Sequence, residues 1–198
     1  MDTGMDAYEA AVAGRKRDLL REAFRVAAAT AGGASVADAM ATHGGPAGTG
    51  SGGGDGEAPA VRVLDVGIGT APNVGYYPPC AVVTGVDPSA AMTARAATNT
   101  RRRRPDVRLV TVPSVAAATT AAAGAPYDVA ICTLTLCSTL AYPAQMALAD
   151  GCHLTRDAEG AVRAAAPWAA VTAERFRVPG GGALLISPHV AGLAVKAM

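Results

Sequence analysis

Val63-Leu64-Asp65-Val66-Gly67-Ile68-Gly69-Thr70 has the residue types of a strand that delivers a carboxylate and then turns tightly with no side chain in the way. Gly67 and Gly69 let a backbone approach a ligand that a Cβ would push away, and a helix starting behind them offers free N–H groups. Glycine after a strand more often makes only a loop turn, so the fragment by itself specifies little. A second segment, Val82-Val83-Thr84-Gly85-Val86-Asp87-Pro88, ends in an acid about 20 residues beyond the glycines. An acid so placed can accept hydrogen bonds from both hydroxyls of a ribose, and the two segments together favour an adenosine-containing cofactor. They leave a nicotinamide dinucleotide and S-adenosylmethionine both open. The turn lacks a third glycine, with Pro72 and Asn73 following Ala71 where the pyrophosphate-binding form wants a glycine or alanine, which disfavours the dinucleotide.

These residues need a sheet to hold them. Val61 to Val66, Val82 to Val86, Val107 to Val112 and Tyr127 to Cys137 are apolar runs separated by alanine-rich, helix-sized stretches. Continuous apolar runs alternating with helices suggest parallel strands covered on both faces, hence an open, doubly wound α/β sheet. Thr133, at the end of the fourth run, is expected to line the cofactor cleft beside Asp65, Gly67, Ile68, Gly69, Asp87 and Pro88. Trp168 to Val178 and Ala183 to Val195 are joined only by Pro179-Gly180-Gly181-Gly182, a connection that allows an antiparallel hairpin and excludes a parallel crossover. Upstream, Tyr8, Val12, Leu19, Leu20, Ala23 and Phe24 share one face of an amphipathic helix, with Arg15, Lys16, Arg17, Asp18, Arg21 and Glu22 mostly elsewhere. Residues 31–60 hold ten of the 23 glycines and only two sizeable apolar side chains, so a disordered insertion is expected there. The chain thus divides into a helix over residues 1–30, that insertion, and a domain over residues 61–198.

At 198 residues the chain suits one domain, and its formal net charge of +1 points to neither a nucleic-acid nor a membrane-surface partner. No apolar run is long enough to span a bilayer, and the first residues carry acids where a secretory signal would be basic and then apolar. A soluble cytoplasmic protein acting on a small molecule is the expectation. Cys80, Cys132, Cys137 and Cys152 show no C-x-x-C spacing and read as reduced thiols, with Cys132 and Cys137 as small core residues. His153 beside Cys152 lacks a second ligand pair, so no metal is expected. Arg101 to Arg104 read as a solvated turn rather than a phosphate-binding patch, Trp168 as a core anchor, and His189 as a structural residue at a strand bend.

Lys16-Arg17-Asp18-Leu19-Leu20, the D-V-G-I-G-T turn, Tyr76-Tyr77-Pro78-Pro79-Cys80, Val86-Asp87-Pro88, the C-T-L-T-L-C-S run from Cys132, Asp150-Gly151-Cys152-His153-Leu154-Thr155-Arg156 and the P-H-V-A-G-L-A-V-K ending from Pro188 follow one another in order. In this succession the chain resembles the methyltransferase-like thiol S-methyltransferases, class I S-adenosylmethionine-dependent enzymes with a methyltransferase type 11 domain. The resemblance implies a Rossmann-like, mostly parallel sheet with a C-terminal antiparallel hairpin, S-adenosyl-L-methionine as cofactor, and methyl transfer to a small alkyl thiol. A thiol would react as thiolate, and the sequence names no base for it.

Three departures from that family stand out. Residues 139–149 are too few for the helix, strand and helix that should follow the fourth strand, since a strand-crossover-strand unit takes about 30 residues. One parallel strand fewer than in the family is therefore expected. Arg177-Val178-Pro179-Gly180-Gly181-Gly182 resembles the turn that introduces that strand, but it comes too late in the chain and reads as the hairpin turn. Ser114, Val115 and Ala116 stand where the family has an acidic pair that reaches the adenine, and no apolar anchoring helix precedes Lys16, so no membrane span is expected and peripheral association with a membrane is the limit. These losses raise a second reading, a shortened relative that binds the cofactor without efficient catalysis.

Overall fold

The computed structural model describes residues 3–30, 61–79, 81–120, 126–133, 158–166, 168–177 and 188–196. The expected insertion at 31–60 and the short interval at 139–149 lie outside the described residues. Contacts divide the chain into two units, residues 20–133 and residues 1–19 with 134–198.

The first unit is built on a sheet of β1 (Arg62–Val66), β2 (Val82–Val86), β3 (Arg108–Val112) and β4 (Val129–Cys132), in the order β3-β2-β1-β4. All neighbours are parallel, with Asp65 level with Gly85 on one side and with Ile131 on the other. The sheet grows from β1 outward to β3 and then returns to the opposite side of β1 for β4. That reversal leaves a crevice beyond the carboxyl ends of β1 and β4, the place where open α/β sheets bind ligands. After β2, Ser89 caps α2 (Ala90–Arg103) by accepting from Met92 N at 3.4 Å, and Arg101, Arg102 and Arg103 occupy its last turn, where positive charge suits the helix dipole. Ser114 likewise caps the single turn α3 (Val115–Ala118), accepting from Ala117 N at 3.2 Å.

Only β2 is covered along nearly its whole length. Along β4, Val129 and Ile131 are buried while Ala130 and Cys132 are exposed, and Val110 on β3 is 41% exposed. Cys132 is therefore not a core residue. The physical reason is that β3 and β4 are the edges of the described sheet, and edge strands need not be covered on both faces.

Gly85 explains how the turn after β1 packs onto the sheet. Ile68 is buried against it, and a Cβ on Gly85 would stand 2.5 Å from Ile68 Cδ1 and 3.0 Å from its Cγ2. The absence of a side chain on β2 is thus what admits a branched one from the turn.

α1 (Thr3–Thr30) contributes Leu20, Ala23, Phe24 and Ala27 to the core of this unit, at the spacing of one helical face. Phe24 meets Tyr77 edge to face, with centroids 6.5 Å apart and planes at 83°. In the other unit Lys16 lies on the buried stripe rather than the polar face, only 9% exposed. It is four residues from Val12, and its ammonium donates to both carboxylate oxygens of Glu9, at 2.8 and 3.0 Å. A long stem under a paired head lets lysine occupy such a position.

β5 (Trp168–Arg177) and β6 (Pro188–Lys196) form the expected antiparallel pair, a two-stranded sheet of their own; residues 183–187, where the second strand was expected to start, lie outside the described residues. Gly192 is required there, because a Cβ would run into the carbonyl of Thr172 across the ladder. Arg15 pairs with Glu174 at 2.5 Å and stacks over Phe176, 4.3 Å from the ring centroid. Trp168 is half-buried, not a core anchor, and its indole donates to Val162 O in α4 (Ala158–Ala165) at 2.6 Å. Arg101 to Arg103 end a helix instead of forming a loop. No described helix is long and apolar enough to cross a membrane.

Gly85→Ala should overpack the seat of Ile68 and destabilise the protein by about 1–3 kcal/mol in chemical denaturation. Combined with Ile68→Ala, which vacates the space, the two losses should be less than additive. Full additivity would show that Ile68 does not press on β2.

Candidate functional site

The turn after β1 is fixed from several sides before any ligand is considered. Gly67 and Gly69 take left-handed backbone angles, with φ of 73° and 54°. Gly67 N and Ile68 N both donate to Val86 O, at 2.8 and 3.0 Å, which ties the turn to the end of β2. A Cβ on Gly69 would find nothing nearer than Gly67 O at 4.0 Å, so open space lies in front of it.

Asp87 stands at the end of β2, half-buried, and its backbone N–H extends the ladder to Val112 O at 3.2 Å. Its Oδ2 accepts from Gly69 N at 3.0 Å and its Oδ1 from Ser89 N at 2.9 Å. The carboxylate clasps the glycine turn on one side and the approach to α2 on the other. A carboxylate offers about four acceptor positions, so two bonds leave room for a ligand's hydroxyls. Pro88 is exposed and opens the bend between Asp87 and Ser89. Asn99, from α2, donates to Thr70 O at 2.9 Å and holds the far side of the turn.

Beyond the turn, Ala71 takes a left-handed conformation, φ 61°, as the N-cap of a 3-10 helix over Pro72–Tyr76 with proline in its first turn. Arg104 secures that segment from the C-cap of α2, donating through Nη1 to Val74 O at 3.3 Å and Tyr77 O at 2.9 Å. Its remaining nitrogens grip Asp106 at 2.9 and 2.5 Å. The 3-10 helix presents Asn73 and Tyr77 to β1. Asp65 is 0% exposed, and its Oδ2 accepts from the Tyr77 hydroxyl in a short hydrogen bond and from Asn73 Nδ2 at 3.3 Å. Asn73 Nδ2 also donates to Thr133 Oγ1 at 2.8 Å, just past the end of β4. Burial, then the Asp65 charge and the hydrogen bond to it, push the Tyr77 hydroxyl far above its ordinary value, so it stays a donor.

Gly67, Gly69 and Asp87 thus meet directly, and Thr133 joins Asp65 through Asn73. Ile68 is buried under the turn, and Asp65 is buried too, its charge facing tyrosine and asparagine rather than solvent. Gly85 and Asn99 were not singled out by sequence reasoning, Asn73 was noted only as a departure in the turn, and Arg104, read as part of a solvated turn, instead holds the carbonyls of Val74 and Tyr77. Tyr77 had appeared only within the Tyr76 to Cys80 landmark, and the signal that pairs it with Asn73 is their spacing, four residues apart after a turn that starts at a carboxylate. Among the described residues no group of three or more His, Cys, Asp or Glu could hold a metal ion.

Residues 63–157 match the model of a methyltransferase domain family, just under half of the chain. No curated protein matches it in sequence. Among solved structures, the chain is similar to the delta-N METTL16 MTase domain, with a TM-score of 0.46 and 13% identity over 75% of this chain and 77% of that one. It is also similar to the human methyltransferase 10 domain containing protein, with a TM-score of 0.42 and 14% identity over 74% and 76% of the two chains. The match to the family model supports a methyltransferase.

The buried tyrosine has a measurable signature. Up to the ordinary tyrosine value of about 10, folded and unfolded chains both keep the proton; above it only the unfolded chain releases it, so stability falls as pH rises. Relative to Tyr77→Phe, the native protein should lose about 1.4 kcal/mol per pH unit above pH ~10 in denaturant melts. Parallel curves for the two proteins would show that the Tyr77 hydroxyl is not held protonated by the fold.

Proposed function

We propose that residues 61–133 form the S-adenosyl-L-methionine site of a methyltransferase, and that the methyl acceptor is a small thiol. The observation that carries the cofactor is Asp87, whose carboxylate closes on Gly69 N at 3.0 Å and so sets an acceptor beside a side-chain-free turn at the end of β2. The residues present fit such a ligand. Adenosine hydroxyls and an ammonium are donors, and the crevice offers the half-buried Asp87 carboxylate and the half-buried Thr133 hydroxyl as acceptors. Open space before Gly69 gives the ligand's bulk a place.

The segment after the glycine turn disfavours a nicotinamide dinucleotide. Its pyrophosphate needs the free N–H groups of an α-helix N-terminus, and here β1 leads into a five-residue 3-10 helix whose first residue, Pro72, has no N–H.

When bound, the sulfonium would supply a methyl group already activated for transfer. The work of the chain is then to bind, orient and exclude water. Asp87 would hold the ribose, the Gly67–Gly69 backbone would leave room for the methionine part, and Thr133 would line the opposite wall. The thiol reading comes from the succession of landmarks shared with the thiol S-methyltransferases. The shortened segment after β4 favours binding that outlasts efficient turnover, because about 1 Å of misplacement can cost a hundredfold in rate.

Calorimetry with S-adenosylhomocysteine should show binding by the native chain, weakened at least about tenfold by Asp87→Ala. Melting of the ligand-free proteins separates the lost ribose contacts from the lost clasp on Gly69. Unchanged affinity in the variant, or tighter binding of NADH, would overturn the cofactor assignment. Radiolabelled methyl transfer to short alkyl thiols tests the acceptor, and label appearing only in other nucleophile classes would remove the thiol.

A further inference from the structure

Building on the proposed cofactor site, we infer that Asn73 is a positioning residue that locks the end of β1 to the end of β4 across the crevice where the cofactor binds. One nitrogen spans the gap, donating to Asp65 Oδ2 at 3.3 Å and to Thr133 Oγ1 at 2.8 Å. β1 and β4 are neighbours in the sheet, yet their ladder ends at the level of Val66 and Cys132, so Thr133 lies beyond the last paired residue. Because Asn73 donates, Thr133 Oγ1 is the acceptor and its own proton is directed away from Asn73.

The arrangement is more than packing. Asn73 is 1% exposed, and its Oδ1 is buried without a hydrogen-bond partner among the described residues. A buried acceptor left unfilled is rare in proteins and asks for a reason beyond stability. Here the reason is that the two donors of the amide group face the residues to be positioned. The direction of the amide is set by Asp65, since turning it over would aim oxygen at a carboxylate. Asp65 is in turn oriented by the Tyr77 hydroxyl, so the chain of contacts runs from the core at Tyr77 to the crevice at Thr133.

The test uses the full chain and three readouts: S-adenosylhomocysteine affinity, melting of the ligand-free protein, and the methyl resonance of Thr133 in the ligand-free protein. Asn73→Ala should weaken binding about tenfold or more and turn a single, well-dispersed Thr133 methyl signal into an averaged one. Asn73→Asp keeps the shape and removes the donors, so its binding should be weak at neutral pH and recover as pH falls, when a protonated carboxyl can donate to Asp65 while its second oxygen accepts from the Thr133 hydroxyl. The native protein should show no such recovery. Native affinity in Asn73→Ala, or a lower melting temperature with the Thr133 signal unmoved, overturns the inference. If Asn73→Ala does not fold, the pH series on Asn73→Asp decides: weak binding at every pH sinks the lock. Should the native chain itself fail to bind S-adenosylhomocysteine, the cofactor site falls, and the Thr133 methyl alone decides whether the two strand ends are locked.

Discussion

Asp65 has no exposed surface, and a carboxylate removed from water costs several kcal/mol unless donors replace the water it loses. Those donors come from a short stretch of chain just after the glycine turn, where Tyr77 and Asn73 both reach Oδ2. For them to reach it, the backbone must fold back at once. It does so by turning left-handed at Gly67, Gly69 and Ala71 and then winding into a 3-10 helix instead of a long α-helix. Phe24 from α1 packs on the ring of Tyr77, and Arg104 holds the carbonyls of Val74 and Tyr77, so two distant elements are committed to keeping Tyr77 and Asn73 on Oδ2 of this carboxylate. The shape of the crevice follows from that commitment.

The same turn is gripped from the β2 side by Val86 O and Asp87, and from α2 by Asn99. The backbone a ligand would meet is therefore set by protein contacts. Such preorganisation matters for group transfer, where little is asked of the protein besides orientation and a dry environment. Asp87 serves twice in this scheme, as a clasp for the turn and as the acceptor proposed for the ribose. Its two roles use different lone pairs and do not compete.

Coverage of the sheet is uneven. β2, with strands on both sides, is buried along nearly its length, whereas β3 and β4 expose alternate residues, Val110 and Cys132 among them. The hairpin β5–β6 is a separate two-stranded sheet, held in its own unit by Arg15 against Glu174 and Phe176 and by the close approach at Gly192. The match to the methyltransferase domain family begins at Val63 and so takes in the turn, Asp87 and Thr133 together.

The parallel strands and the hairpin were legible from the sequence because their signals are local: continuous apolar runs, a glycine turn after one, an acid after the next, and a connection too short for a crossover. Each of these depends on residues near one another in the chain, and periodicity and turn chemistry report them. What tertiary structure alone decided is which side chains face one another across elements. Asn73 reaches Thr133, 60 residues away, and Gly85 accepts Ile68 from another segment, pairings that no local pattern encodes. Lys16 was read as surface because lysine usually is, and it lies in the buried stripe because Glu9, two helical turns earlier, neutralises it there. Cys132 was read as core from its apolar neighbours, and it is exposed because its strand forms an edge of the described sheet, a property of sheet order and not of sequence.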